Sequence, residues 1–189
     1  MAWKKITVWL IVLAATVAAL APPRAGRPGE QDGAEKSRIV DAVLSWAAAS
    51  HRGRIRQENE DAWHIVPELG LFLVSDGMGG HQGGAIASRI VATDLPVMIE
   101  ASLHRRRSDS PRTIRSVFKR CIVEQSRHLR LEGHSETGRR GMGATLVLVL
   151  VHNSRAYVGN LGDSRVYLLR AGRLRQLSRD HSVIAELLE

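Results

Sequence analysis

The apolar residues of this chain change their period twice along its length, and that order limits the folds open to it. Leu71-Phe72-Leu73-Val74 is a short apolar run that stops at Ser75-Asp76-Gly77, as a buried strand feeding a turn does. Residues 43–49 and 62–66 also read as strands. From Ala85 to about Val91 the pattern turns helical, with Ala85, Ile86, Ile90 and Val91 apolar, and Pro96 is expected to kink or restart the helix. A second helix has clearer limits. Ser110 can cap it, Pro111 suits its first turn and Gly133 its end, while Ile114, Val117, Phe118, Cys121, Ile122 and Leu129 share one face. The period then returns to that of strands over 145–151, 156–160, 165–170 and 173–177. Asn153-Ser154 and Ala171-Gly172 supply turns. Strands, two helices, then strands argue for an α+β fold rather than an alternating α/β one. Residues 183–189 read as the start of another helix.

The N-terminal segment has a different character. Lys4 and Lys5 precede an uncharged stretch from Ile6 to Ala21, which reads as a signal-like or membrane-anchor segment over 1–21. It is slightly short for a spanning helix, and a misassigned start is the alternative. Residues 22–38, rich in Pro, Gly and charge, read as a linker. The globular part is then 39–189. Hydrophobic content of 44% and charged content of 24% are ordinary for a globular domain. The formal charge of +8 comes mostly from scattered arginines, without a helix-turn-helix, zinc-finger or RNA-binding signature, so nucleic acid is not the expected partner. A basic face can instead attract acidic, phosphorylated proteins. Cys121, the single cysteine, falls on the apolar stripe of the second helix and is expected to be a buried structural thiol.

Three clusters carry chemistry: Arg56-Gln57-Glu58-Asn59-Glu60-Asp61, then Asp76-Gly77-Met78-Gly79-Gly80-His81 with Gly83-Gly84, then Gly159-Asn160-Leu161-Gly162-Asp163-Ser164-Arg165. Each alone is compatible with an ordinary turn. The glycine density of the second is costly in backbone entropy and points to a close approach of the backbone to something. Together the clusters suit hard divalent ions, which take carboxylate and carbonyl oxygens. Glu60, Asp61, Asp76 and Asp163 can supply carboxylates from separate strand ends, and Gly77 a carbonyl. Arg56 can hold a phosphate through paired hydrogen bonds. Two such ions can polarise a phosphoryl group and activate water.

These runs resemble, in order and approximate spacing, the bacterial branch of the PPM-type (type 2C) serine/threonine protein phosphatases. The resemblance is carried by Gly53-Arg54-Ile55-Arg56, Asn59-Glu60-Asp61 and Asp76-Gly77-Met78-Gly79-Gly80-His81, then by Gly141-Met142-Gly143-Ala144-Thr145, Gly159 to Arg165, and Leu177-Ser178-Arg179-Asp180-His181-Ser182. It covers roughly residues 45–189. It implies an antiparallel β-sandwich flanked by helices in four α-β-β-α layers, with metals in a cleft at one end. It implies hydrolysis of phosphoserine and phosphothreonine in proteins by a metal-activated water. A serine/threonine kinase would be the opposing enzyme, and Mn²⁺ or Mg²⁺ the cofactor, as two ions or three. By position, Arg56 would bind the substrate phosphate and Asp76 would bridge two metals. Glu60 and the Gly77 carbonyl would bind the second metal, Asp61 would orient water, and Asp163 would hold a third ion. Met78 stands where some relatives have a proton-donating histidine, and His81 is taken as structural.

The resemblance also implies two further metal-binding aspartates beyond the Asp-His-Ser motif, and strands that would complete both sheets. The chain ends at Glu189 before either, so the domain and its metal site are expected to be incomplete at the C-terminus. Two readings follow: a phosphatase, or an inactive phosphatase-like module that binds phosphoproteins. The N-terminal segment points to membrane attachment or export, whereas the resemblance points to the cytoplasm.

Overall fold

The computed structural model describes residues 11–12, 44, 46–54, 58–79, 82–135 and 141–181. The predicted linker, Arg56, His81, the helix expected over 183–189 and all of the signal-like segment except Ile11 and Val12 lie outside them. In chain order the elements are β1 (Ile11–Val12), β2 (Asp61–Val66), a 3-10 turn (Pro67–Leu69), β3 (Leu71–Met78), α1 (Gln82–His104), α2 (Pro111–Ser135), β4 (Gly143–Ala144), β5 (Leu146–His152), β6 (Arg155–Leu161), β7 (Val166–Arg170) and β8 (Arg173–Gln176).

β5 explains how these elements stack. Successive side chains of a strand point to opposite faces. Leu146, Leu148 and Leu150 belong to the main core with the helices, while Val147 and Val149 form a second buried cluster with Val166 of β7. One strand therefore has an apolar face against the helices and another against the second sheet. The first sheet runs β2-β3-β5-β6, with β4 paired to the far end of β3, and these pairings are antiparallel. The second runs β1-β7-β8, with β7 and β8 antiparallel and β1 a two-residue parallel bridge to β7. The result is the expected α+β sandwich, with one helical layer among the described residues.

Both helices bury a stripe. In α1, Ala87, Val91, Leu95, Ile99 and Leu103 recur every fourth residue and are nearly inaccessible, and α2 answers with Ile114, Val117, Phe118, Cys121 and Leu129. Cys121 is buried, as expected, with its Sγ 3.5 Å from Ser102 Oγ. Ser110 caps α2 by accepting from Thr113 N–H at 3.2 Å. The two hairpin turns carry positive φ at both central residues, 48° and 57° at Asn153-Ser154 and 49° and 72° at Ala171-Gly172, which matches the twist of the strands they join.

Four sequence expectations need correction. Trp46–Ala49 form no strand: all four are exposed, and no described strand pairs with them. Pro96 does not restart the helix, because α1 runs unbroken through it. Proline lacks the N–H for one helical bond, but Leu95 and Ile99 on either side are fully buried and packing holds the element through it. Gly133 does not end α2, which continues to Ser135. The strand expected over 71–74 extends to Met78, which carries Asp76 into the ladder rather than into the turn beyond it. Among the described residues no helix is long and apolar enough to cross a membrane.

Because Leu148 is fully buried between β3, β6 and the helices, Leu148→Ala should lower unfolding free energy by roughly 2–5 kcal/mol. Chemical denaturation should show this as a lower midpoint at an unchanged slope.

Candidate functional site

β2 and β3 pair so that Asp61 lies directly opposite Asp76. Cross-strand partners present their side chains on the same face, and like charges placed there repel. Asp61 is further constrained: its Oδ1 is buried and has no hydrogen-bond partner among the described residues. A buried, unsatisfied carboxylate oxygen beside a second carboxylate is the kind of exception that a bound cation resolves. Asn59 orients Asp61 by accepting from its N–H at 3.2 Å, and itself donates from Nδ2 to Ser50 Oγ at 2.6 Å.

The next residue along β3 explains the glycine-rich run. Gly77 N–H donates to the Glu60 carbonyl at 2.9 Å, and a Cβ on Gly77 would overlap the carbonyl oxygen of Gly84 in the first turn of α1. A Cβ on Gly84 would lie 3.0 Å from the Gly77 carbonyl and 3.1 Å from Glu60 Oε1. The close approach read from the sequence is thus between the strand end and the helix start. It also brings the Glu60 carboxylate to that junction.

Asp76 is held from its other side by β5's entry. Thr145 N–H donates to the Asp76 carbonyl at 2.8 Å, Asp76 N–H donates to Thr145 Oγ1 at 3.0 Å, and Ser75 Oγ donates to the Thr145 carbonyl at 2.7 Å. Thr145 Oγ1 is also 2.7 Å from Ser164 Oγ, so one buried threonine joins the Asp76 strand to the turn that carries Asp163. That turn is clamped by the Asp-His-Ser motif. His181 N–H donates to the Gly162 carbonyl at 2.9 Å, Asn160 Nδ2 to the Arg179 carbonyl at 2.5 Å, and Arg165 grips Asp180 through Nε at 2.9 Å and Nη2 at 2.6 Å. The guanidinium holds the Asp180 carboxyl below its ordinary value.

The structure therefore brings Glu60, Asp61, Asp76 and Gly77 to one strand end. It leaves Asp163 exposed on its own bend, tied to them only through Ser164 and Thr145. Among the described residues no three His, Cys, Asp or Glu side chains gather closely enough to hold an ion. The donor set fits a divalent ion at the Asp61–Asp76 pair, and Asp163 stands apart from it. Met78 is 62% exposed and borders an open cavity of about 560 Å³ lined also by Leu129, Arg130, His134 and Met142. Sequence reasoning missed the roles of Thr145, Ser75 and the Arg165–Asp180 pair. Ser75 left a signal, because a hydroxyl at the end of a buried apolar run needs a partner.

The chain belongs to the protein phosphatase 2C family, whose profile matches residues 46–186. It is 36% identical over 140 residues to the serine/threonine phosphatase stp of Listeria monocytogenes, covering 72% of this chain and 54% of that one. To protein phosphatase PhpP of Streptococcus pneumoniae it is 33% identical, with 72% and 55% covered. Among solved structures, the serine/threonine phosphatase PstP/Ppp of Mycobacterium tuberculosis superposes with a TM-score of 0.61 at 31% identity, covering 75% of this chain and 57% of that one. A structure of the PstP catalytic domain with two manganese ions superposes at 0.55 with 30% identity, covering 75% and 58%. The chain spans a little over half the length of these relatives.

Thr145→Val keeps the shape of the buried side chain but leaves the Asp76 N–H and Ser164 hydroxyl without their partner. It should cost about 1–3 kcal/mol of stability, with Thr145→Ser restoring most of it in the same denaturation assay. Separately, the lowered Asp180 carboxyl ties the 177–181 segment to pH. A depressed folded value contributes stability above the unfolded value that is lost as pH falls through the folded one. Wild-type protein should melt above Asp180→Asn at neutral pH, and the gap should close below the ordinary carboxylate range.

Proposed function

We propose that this chain contributes a metal-dependent serine/threonine phosphatase centre, acting on phosphoserine and phosphothreonine in proteins with Mn²⁺ or Mg²⁺. The observation that carries the reading is the opposed Asp61–Asp76 pair with its unsatisfied buried oxygen, placed in a domain of the protein phosphatase 2C family. When bound, two ions would supply Lewis-acid polarisation of the phosphoryl group and a water nucleophile at neutral pH. Asp76 would help to hold them, kept in position by its backbone bonds to Thr145. Glu60 and the Gly77 carbonyl would serve one ion, and Asp61 would orient water. Arg56 would grip the phosphate, and Asp163 would serve a third ion. Met78 has no proton to donate, so the departing serine or threonine oxygen would be protonated by water or by another group.

A second reading is a non-catalytic module that binds phosphorylated proteins. It is favoured by the grouping of the side chains: among the described residues no three His, Cys, Asp or Glu, Glu60 included, are placed so as to hold one metal ion. One assay separates the two: Mn²⁺-dependent release of phosphate from a phosphothreonine peptide by the 189-residue chain and by Asp76→Ala. The phosphatase reading expects turnover that EDTA abolishes and that the variant lowers by about 10²-fold or more, as loss of a preorganised electrostatic group does. Equal, metal-independent background from both proteins would leave the binding reading in its place.

A further inference from the structure

The chain's positive charge is not evenly spread once it is folded. Residues 105–132 hold nine Arg and Lys against three Asp and Glu. They form the end of the α1–α2 connection and most of α2. α1 leaves the Gly77 junction and runs 23 residues, about 35 Å at helical rise, so its C-terminal end lies far from the carboxylate pair. At that far end the two helices enclose a groove of about 640 Å³ lined by Ser102, Arg105, Arg106, Arg112, Thr113, Ser116, Val117, Arg120 and Glu124.

The arginines of the groove divide into two kinds. Arg106 is structural: its guanidinium bonds Asp109, the Leu103 carbonyl and His152 Nε2, the last at 3.3 Å, and it holds the Asp109 carboxyl below its ordinary value. Arg105, Arg112 and Arg120 are exposed, and no carboxylate pairs with them among the described residues, Glu124 included. Arg112, Ser116 and Arg120 recur every fourth residue, so they lie in a row along one face of α2. Guanidinium groups are charged at all relevant pH and match carboxylate and phosphate oxygens with paired donors. Thr113 and Ser116 add hydroxyl groups between them. The one apolar lining residue, Val117, is buried, so the groove has nothing to insert into a lipid layer, and its concave, polar shape suits an extended chain.

We propose that this groove is a docking site for an acidic segment of a partner protein, rich in carboxylates or phosphorylated side chains. It is distinct from the carboxylate pair and does not depend on metal chemistry. A partner held there would be engaged roughly a helix length from the Asp61–Asp76 pair, so docking and dephosphorylation would use separate surfaces of one domain.

The test is fluorescence anisotropy of the 189-residue chain in EDTA, with a labelled peptide of alternating glutamate and phosphothreonine. A glutamine peptide of the same length is the control. The acidic peptide should bind, weaken with salt, and weaken by about ten-fold or more in Arg112→Glu/Arg120→Glu, as loss of charge-assisted bonds implies. Arg112→Gln/Arg120→Gln should fall between, at an unchanged melting temperature. Asp76→Ala should bind as wild type does, which separates this site from the proposed phosphatase centre. Undiminished binding by the double reversal, or no binding of the acidic peptide at all, would overturn the proposal. So would sedimentation of the chain with phosphatidylserine vesicles that the same reversal abolishes while the peptide stays unbound, since that would make the groove a membrane contact.

Discussion

Two carboxylates facing each other across an antiparallel ladder are the constraint around which this domain is organised. The register that puts Asp61 opposite Asp76 is the one that puts Leu71 and Leu73 into the core, and a slip of one residue would turn both strands inside out. Core packing therefore sets two carboxylate residues directly opposite each other, a placement that is unfavourable for like charges. Such a placement at a rigid strand end is characteristic of a site arranged for a ligand of opposite charge. The surrounding bonds hold the backbone of the pair in place, and Asp61 Oδ1 stays without a hydrogen-bond partner among the described residues.

Rigidity at that end comes from three sequence runs locking together. Gly77 and Gly84 allow β3 and α1 to meet without side chains between them. Thr145 bonds the backbone of Asp76 on both its N–H and its carbonyl, and reaches Ser164 beyond. The Arg165–Asp180 pair and the His181 amide then fasten the Asp163 turn to the segment after β8. Motifs far apart in the chain are thus a single mechanical unit. Beneath it, the Leu face of β5 packs on the helices and its Val face on the second sheet, so the same strand supports both layers.

Much of this was legible in the residues. The hairpins at Asn153-Ser154 and Ala171-Gly172 were readable because turn chemistry is local, and α2 because its cap and its apolar stripe agree. The segment at 46–49 was misread because alanine and tryptophan give an apolar run whether or not a partner strand exists. That α1 continues through Pro96 was not readable either, since the cost of proline is local but the packing that absorbs it is tertiary. Of the site, the identity of Asp61 and Asp76 was readable, and so was the need for a close backbone approach at the glycines. Their opposition depends on strand register, and the hub role of Thr145 depends on contacts seventy residues apart in sequence; neither has a local signature. The uneven distribution of arginines was visible as sequence, but the groove that collects them exists only once α1 and α2 pack antiparallel.

The central claim is that the Asp61–Asp76 pair is one side of a divalent-cation site. Titrating Mn²⁺ into the metal-free chain by isothermal calorimetry tests it most directly. A saturable binding isotherm that Asp61→Asn removes, while the variant's own metal-free melting temperature is equal to or above that of wild type, is the predicted result. An isotherm unchanged by Asp61→Asn, or no Mn²⁺ binding to the folded wild-type chain, would contradict it.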